Sequence, residues 1–177
     1  MGRIEKSIDI QIPLVDCYKQ LIQMENYPMF IDPLISVRPK GKPDVWQWII
    51  KGHQGEQWMW DIELTGKKHN NQVISWHTLR DTKPPHSGAI TLHSLGPRQT
   101  RLNFVVDYTL IPYNGWPTNI EQRVNKMVED SLQRFKSYAE QSQKATAGMF
   151  RRTSKRSDEP LAEQDVVIAP GNFPYDI

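Results

Sequence analysis

Cysteine is almost missing from this 177-residue chain: Cys17 stands alone, so no intrachain disulfide can form and stability must come from packing. A lone thiol among helix-forming neighbours reads as a packing residue. A reducing setting follows, and the expected location is the cytoplasm. Charge of one sign is also scarce. Lys and Arg number 22 against 20 Asp and Glu, a net charge of +2, too little to attract a polyanion, so no nucleic acid partner is expected. No run approaches the roughly 20 apolar residues that span a bilayer, and "MGRIEKSIDI" has no apolar stretch of leader length. The histidines at 53, 69, 77, 86 and 93 sit in or beside turns without H-x-x-x-H spacing, and C-x-x-C is absent. They are therefore read as solvated, with no metal site. Gly52 and Gly55 bracket a turn and open no helix, so there is no phosphate loop and no cofactor is expected.

Tryptophan is what the chain has in plenty. "DVWQWIIKGHQGEQWMWDIEL" at 44–64 holds Trp46, Trp48, Trp58 and Trp60, spaced two apart in pairs. On a strand, residues two apart share a face, so each W-x-W sets two indoles side by side. One face of a hairpin then carries four. Such a wall either fills a core or lines a cavity for something flat and apolar.

The periodicity supplies a frame for that wall. Residues 3–12 alternate as a half-buried strand ending at Pro13, and Leu14, Tyr18, Leu21 and Ile22 follow at helical spacing before Pro28 and Pro33 break the pattern. A short helix, a second helical turn around Tyr27 to Phe30 and a loop are expected. Strands then follow from about Ile35 to Leu110, with turns at 41–43, 52–55, 66–71, 81–88 and 96–99. Their connections are too short for parallel crossovers, so the meander is antiparallel. Trp46, Trp48, Ile50, Trp58, Trp60, Ile62, Leu64, Ile74 and Trp76 take one parity, and so do Ile90, Leu92, Leu102, Phe104, Val106 and Tyr108. Asp61, Glu63, His77 and Asp107 take the other, which makes one face dry and one wet.

A cover for the dry face comes next. Pro117 and Thr118 suit a helix start, and Ile120, Val124, Val128, Leu132, Phe135 and Ala139 recur at three- and four-residue steps. A helix of about 25 residues runs nearly 40 Å, enough to cross the sheet. The expected fold class is α+β: about seven curved antiparallel strands wrapped around one long C-terminal helix, forming a single domain over 1–145. Past Gln143 the apolar repeat stops, and residues 146–177, with Arg151, Arg152, Lys155 and Arg156 ahead of an acidic stretch, are expected to be a disordered or loosely packed tail.

Read in order, "ENYPMFIDPLISV" at 25–37, "WIIKG" at 48–52, "GEQWMWDIEL" at 55–64, "VISWHTL" at 73–79, "SGAITL" at 87–92, "QTRLNFVVDY" at 99–108 and "SLQRFKSYAE" at 131–140 resemble the blocks of the polyketide cyclase/dehydrase family of the START-like (SRPBCC) superfamily, which includes the coenzyme-Q-binding-protein-like members. The ordered set carries the resemblance, more than any one block. It spans about residues 3–141. Where many relatives have one Trp in strand four, Trp58 and Trp60 both stand here, and the charged tail has no counterpart.

The resemblance implies the helix-grip fold and a hydrophobic small-molecule ligand such as a polyketide, quinone, isoprenoid or other lipid. With the parity, it places the ligand against Trp46, Trp48, Trp58, Trp60 and Trp76, with Leu92, Phe104, Val106 and Tyr108 from the later strands. Tyr27 and Phe30 join from the second helical turn, and Val128, Leu132 and Phe135 from the long helix. A cyclase needs a proton donor and acceptor inside the pocket, and the acidic groups and His77 fall on the wet parity. Binding without turnover is therefore favoured, with no catalytic residue assigned. An aromatase/cyclase acting on a polyketide-like substrate is the enzymatic alternative. A protein-interaction module docking a partner through the groove and the tail is the other, and four basic tail charges beside acidic neighbours make only a weak membrane anchor.

Overall fold

The computed structural model describes residues 2–52, 55–66, 72–80, 82–109 and 119–156, with side chains as far as 146. Contacts divide the chain into Met1–Lys144 and Ala145–Ile177. In the first unit, β1 (Gly2–Ile10) leads into α1 (Leu14–Ile22) and a 3-10 helix (Met24–Met29). Six strands follow: β2 (Leu34–Pro39), β3 (Val45–Lys51), β4 (Gln57–Gly66), β5 (Val73–Thr78), β6 (His86–Gly96) and β7 (Gln99–Tyr108). The helix α2 (Ile120–Arg156) comes last.

All seven strands form one sheet in the order β1-β7-β6-β5-β4-β3-β2, and every neighbouring pair is antiparallel. The expected meander is therefore present, with β1 returning to pair with β7. Register shifts at Leu34/Ser36, Leu64/Gly66 and Ser94/Gly96 are bulges, which bend and twist the strands that carry them.

Two apolar clusters join sheet to helix. One gathers Ile10, Leu92 and Leu102 with Cys17 and Leu21 of α1 and Phe135 and Ala139 of α2; the other joins Ile4, Val106 and Tyr108 to Val128. Polar ties flank them. Lys136 Nζ donates to the Asp9 carbonyl at 2.6 Å, and the Gln11 amide donates to Glu140 Oε1 at 2.8 Å. The buried Thr100 hydroxyl donates to the Ile12 carbonyl at 2.9 Å, pairing a carbonyl that would otherwise be left in the core.

Two expectations change. The helix does not stop where the apolar repeat stops: α2 continues past Gln143 to Arg156. Extending a formed helix costs little, and Lys, Ala, Met and Arg are good helix formers, so amphipathicity is not needed to carry it on. Residues 157–177 of the expected tail lie outside the described residues, as does the helix start assigned to Pro117 and Thr118. The second change is at 81–88: β6 begins at His86, directly after Pro84-Pro85.

Candidate ligand-binding face

Cross-strand pairing decides which side chains meet. Trp48 faces Trp60, Ile50 faces Trp58 and Trp46 faces Ile62 across β3 and β4, while Leu64 faces Trp76 and Ile62 faces Thr78 across β4 and β5. The two W-x-W pairs therefore lie on one face. Trp76 is opposite Gly88 on β6, and a Cβ built there would stand 2.4 Å from Trp76 Cζ2. Glycine lets the indole lie flat on the sheet, where it meets Phe104 at a centroid distance of 5.7 Å.

The near side is closed by rings. Trp48 meets Tyr27 edge-on at 5.6 Å and 79°, Tyr27 meets Phe30 at 5.1 Å, and Phe30 meets Phe135 of α2 at 5.1 Å. The Tyr27 hydroxyl donates to the Leu21 carbonyl at 2.7 Å, and burial pushes its pKa up. This anchors the 3-10 helix against α1. The indole N–H of Trp48 is buried and has no hydrogen-bond partner among the described residues.

The far side is polar. Trp60 Nε1 donates to the Lys83 carbonyl at 3.0 Å, and its ring lies 4.6 Å from that of His86. His86 Nδ1 is 3.1 Å from the Pro84 carbonyl; a carbonyl only accepts, so Nδ1 carries the hydrogen and Nε2 keeps its lone pair. Burial, partly offset by that bond, lowers the pKa of the imidazole. Thr78 Oγ1 donates to the His86 carbonyl at 3.2 Å and accepts from its amide at 3.1 Å. A recess of about 270 Å³ at the rim is lined by Thr78, Pro85, His86, Ser87, Asp107, Tyr108 and Thr109. Burial, then the nearby Glu121 charge, raises the pKa of Tyr108.

Burial separates the expected ligand residues into two groups. Tyr27, Phe30, Leu92, Val106, Tyr108, Val128 and Phe135 are buried in the clusters above. Trp46, Trp48, Trp58, Trp60, Trp76 and Phe104, on the inward face of the sheet, are only partly buried, and so is Leu132 of α2. Val128 and Phe135 are thus packing side chains here, and the incompletely covered surface is the indole wall with Phe104 and Leu132.

The wet parity is as expected. Asp61 pairs with Lys40, His77 Nε2 is 3.3 Å from Glu63, and Asp107 is 3.5 Å from Arg3. His86 is the correction. It is not a solvated turn residue but the first inward position of β6, in step with Gly88, Ile90 and Leu92. Counting back by twos from Leu92 finds it; the Pro-Pro before it had suggested a turn. Exposed His93 and half-exposed His77 fit the solvated reading, and His53 and His69 lie outside the described residues. Cys17 is buried and its thiol is pushed up to about 12 by burial, in keeping with a packing role. Among the described residues no cluster of three metal-binding side chains occurs, and no helix is long and apolar enough to cross a membrane.

No known family model matches the chain. It is 23% identical over 155 residues to an uncharacterized 17.2 kDa protein of Streptomyces lincolnensis, covering 84% of this chain and 96% of that one. Among solved structures it is similar to the Zhui aromatase/cyclase from Streptomyces sp. R1128, with a TM-score of 0.67 and 17% identity over 78% of this chain and 93% of that one. A START superfamily protein from Mycobacterium smegmatis matches with a TM-score of 0.59 and 15% identity, covering 79% and 95%. At such identities the likeness is one of fold.

Proposed function

Starting from the START-like, polyketide-cyclase-like helix-grip fold that this chain has, we propose that it binds a flat hydrophobic small molecule, of the polyketide, quinone or isoprenoid kind, against the indole wall without turnover. One observation carries this reading. Five indoles on the inward face of the sheet keep part of their surface in water, although Trp46, Trp48 and Trp76 pack against the buried clusters. Burying the rest of that aromatic surface is favourable at about 25 cal/mol per Å², and a planar ring adds offset stacking of about 0.5 to 1.5 kcal/mol per pair.

Titration with quinones, sterols and aromatic polyketides tests the proposal. Quenching of tryptophan fluorescence together with a rise in Tm is the expected result. A flat response to every class, and no small molecule retained in native mass spectrometry of protein from its own host, would end it.

A second reading, an aromatase/cyclase acting on a polyketide-like substrate, is favoured by His86. A neutral imidazole on the inner face is the kind of proton acceptor such chemistry needs. Product formation from a poly-ketone, abolished in His86→Phe while ligand binding persists, distinguishes catalysis from binding.

A further inference from the structure

The rim recess holds a group that stacking alone leaves unused. His86 is fixed on three sides: Nδ1 faces the Pro84 carbonyl, Thr78 Oγ1 bonds both its amide and its carbonyl, and the Trp60 ring lies 4.6 Å away. Trp60 is itself tied by its N–H to the Lys83 carbonyl. Imidazole and indole are thus both oriented before anything binds, which removes the ordering cost from recognition.

The geometry points to His86 Nε2 as the hydrogen-bond acceptor for a free hydroxyl, phenolic or enolic, on the ring stacked at Trp60, an inference that rests on the ligand-binding reading above. Of the groups around the recess, Ser87, Asp107 and Thr109 take the parity opposite to His86, and on the inward parity the role falls to His86. Thr78 Oγ1 is occupied by the His86 backbone, and Asp107 lies on the outer face 3.5 Å from the Arg3 guanidinium. Tyr108 is the cross-strand partner of His86, but its phenol lies over Gly2 of β1, on the side of β7 away from the imidazole. The hydrogen on Nδ1 leaves Nε2 a lone pair and no proton to give. A ligand oxygen with a hydrogen therefore pairs with it, and an ether oxygen cannot. Sites built around a ligand hydroxyl discriminate against the analogue lacking it, because their own polar group is then left unpaired.

The test compares 2-hydroxyanthraquinone with its 2-methoxy ether, which share a stacking face and differ in the one hydrogen. Binding is followed by tryptophan quenching in the full chain and in His86→Phe, which keeps an aromatic face against Trp60. The wild-type protein is expected to prefer the hydroxy probe by about tenfold, as one net hydrogen bond allows, and the variant to bind the two alike. A second measurement needs no variant: in nitrogen-15 spectra of the wild type, the His86 Nε2 resonance leaves its free lone-pair position with the hydroxy probe and stays with the ether. Equal wild-type affinities, an undiminished preference in folded His86→Phe, or an unmoved Nε2 resonance would overturn the inference and leave the ligand-binding reading standing. Failure of both probes to bind would overturn the two together.

Discussion

Strands β1, β7 and β6 present Ile4, Ile10, Leu102, Val106 and Leu92 to the helix side, and all are buried. Strands β3 and β4 present Trp46, Trp48, Trp58 and Trp60 on that side, and none of the four is fully buried. The alternation is equally regular in both halves. What differs is the cover. Phe135, Ala139 and Val128 of α2 belong to the buried clusters of the first half, while in the second Trp48 meets Tyr27 at one edge and Trp60 meets His86 at the other. A dry parity says where a side chain points, and dryness itself depends on what lies opposite.

Substitutions on the two halves should therefore read out differently, and the largest effect belongs to the closed half. Phe135, 2% exposed, is expected to cost about 3 to 5 kcal/mol when changed to Ala, measured by urea unfolding. Trp58→Ala removes a larger side chain and should cost no more than about 1 to 2 kcal/mol, because the indole is only partly buried, yet it should weaken binding of an aromatic probe. Equal losses of stability would erase the distinction between the halves.

Gly88→Ala comes next. The added Cβ would stand 2.4 Å from Trp76 and 2.6 Å from the Val105 carbonyl, and the backbone atom cannot step aside. A cost of about 1 to 3 kcal/mol, with a shift in tryptophan emission as the Trp76 indole lifts from the sheet, is the expected outcome.

The smallest effect is a pH dependence confined to the open half. Burial lowers the pKa of His86 below its ordinary 6.5, so the unfolded chain binds this proton more readily than the folded one. Stability from the neutral imidazole is present above about 6.5 and falls as pH drops from there toward the folded value. His86→Phe should flatten that slope in thermal melts run between pH 7 and 5, whereas Phe135→Ala should lower the whole curve and leave its slope unchanged.

Much of this architecture was legible in the residues because strand alternation and helical spacing are local. The parity that put Trp46, Trp48, Trp58, Trp60 and Trp76 on one face, and Asp61, Glu63, His77 and Asp107 on the other, matches the observed pairing. His86 was lost to the turn signal of Pro84-Pro85, since local propensity says nothing of how early β6 resumes pairing with β7. The end of α2 was missed for a related reason. An apolar stripe marks where a helix is covered, and α2 runs on to Arg156 without one.

Sequence alone determined the order of the elements, the face that each side chain takes and the absence of a disulfide within these residues, because these follow from spacing and composition along the chain. Only the tertiary structure decided which inward side chains become core and which stay half-covered. It also decided that a histidine from β6 and an indole from β4 meet at one rim. Such choices depend on distances between segments far apart in the chain, and no local pattern encodes those distances.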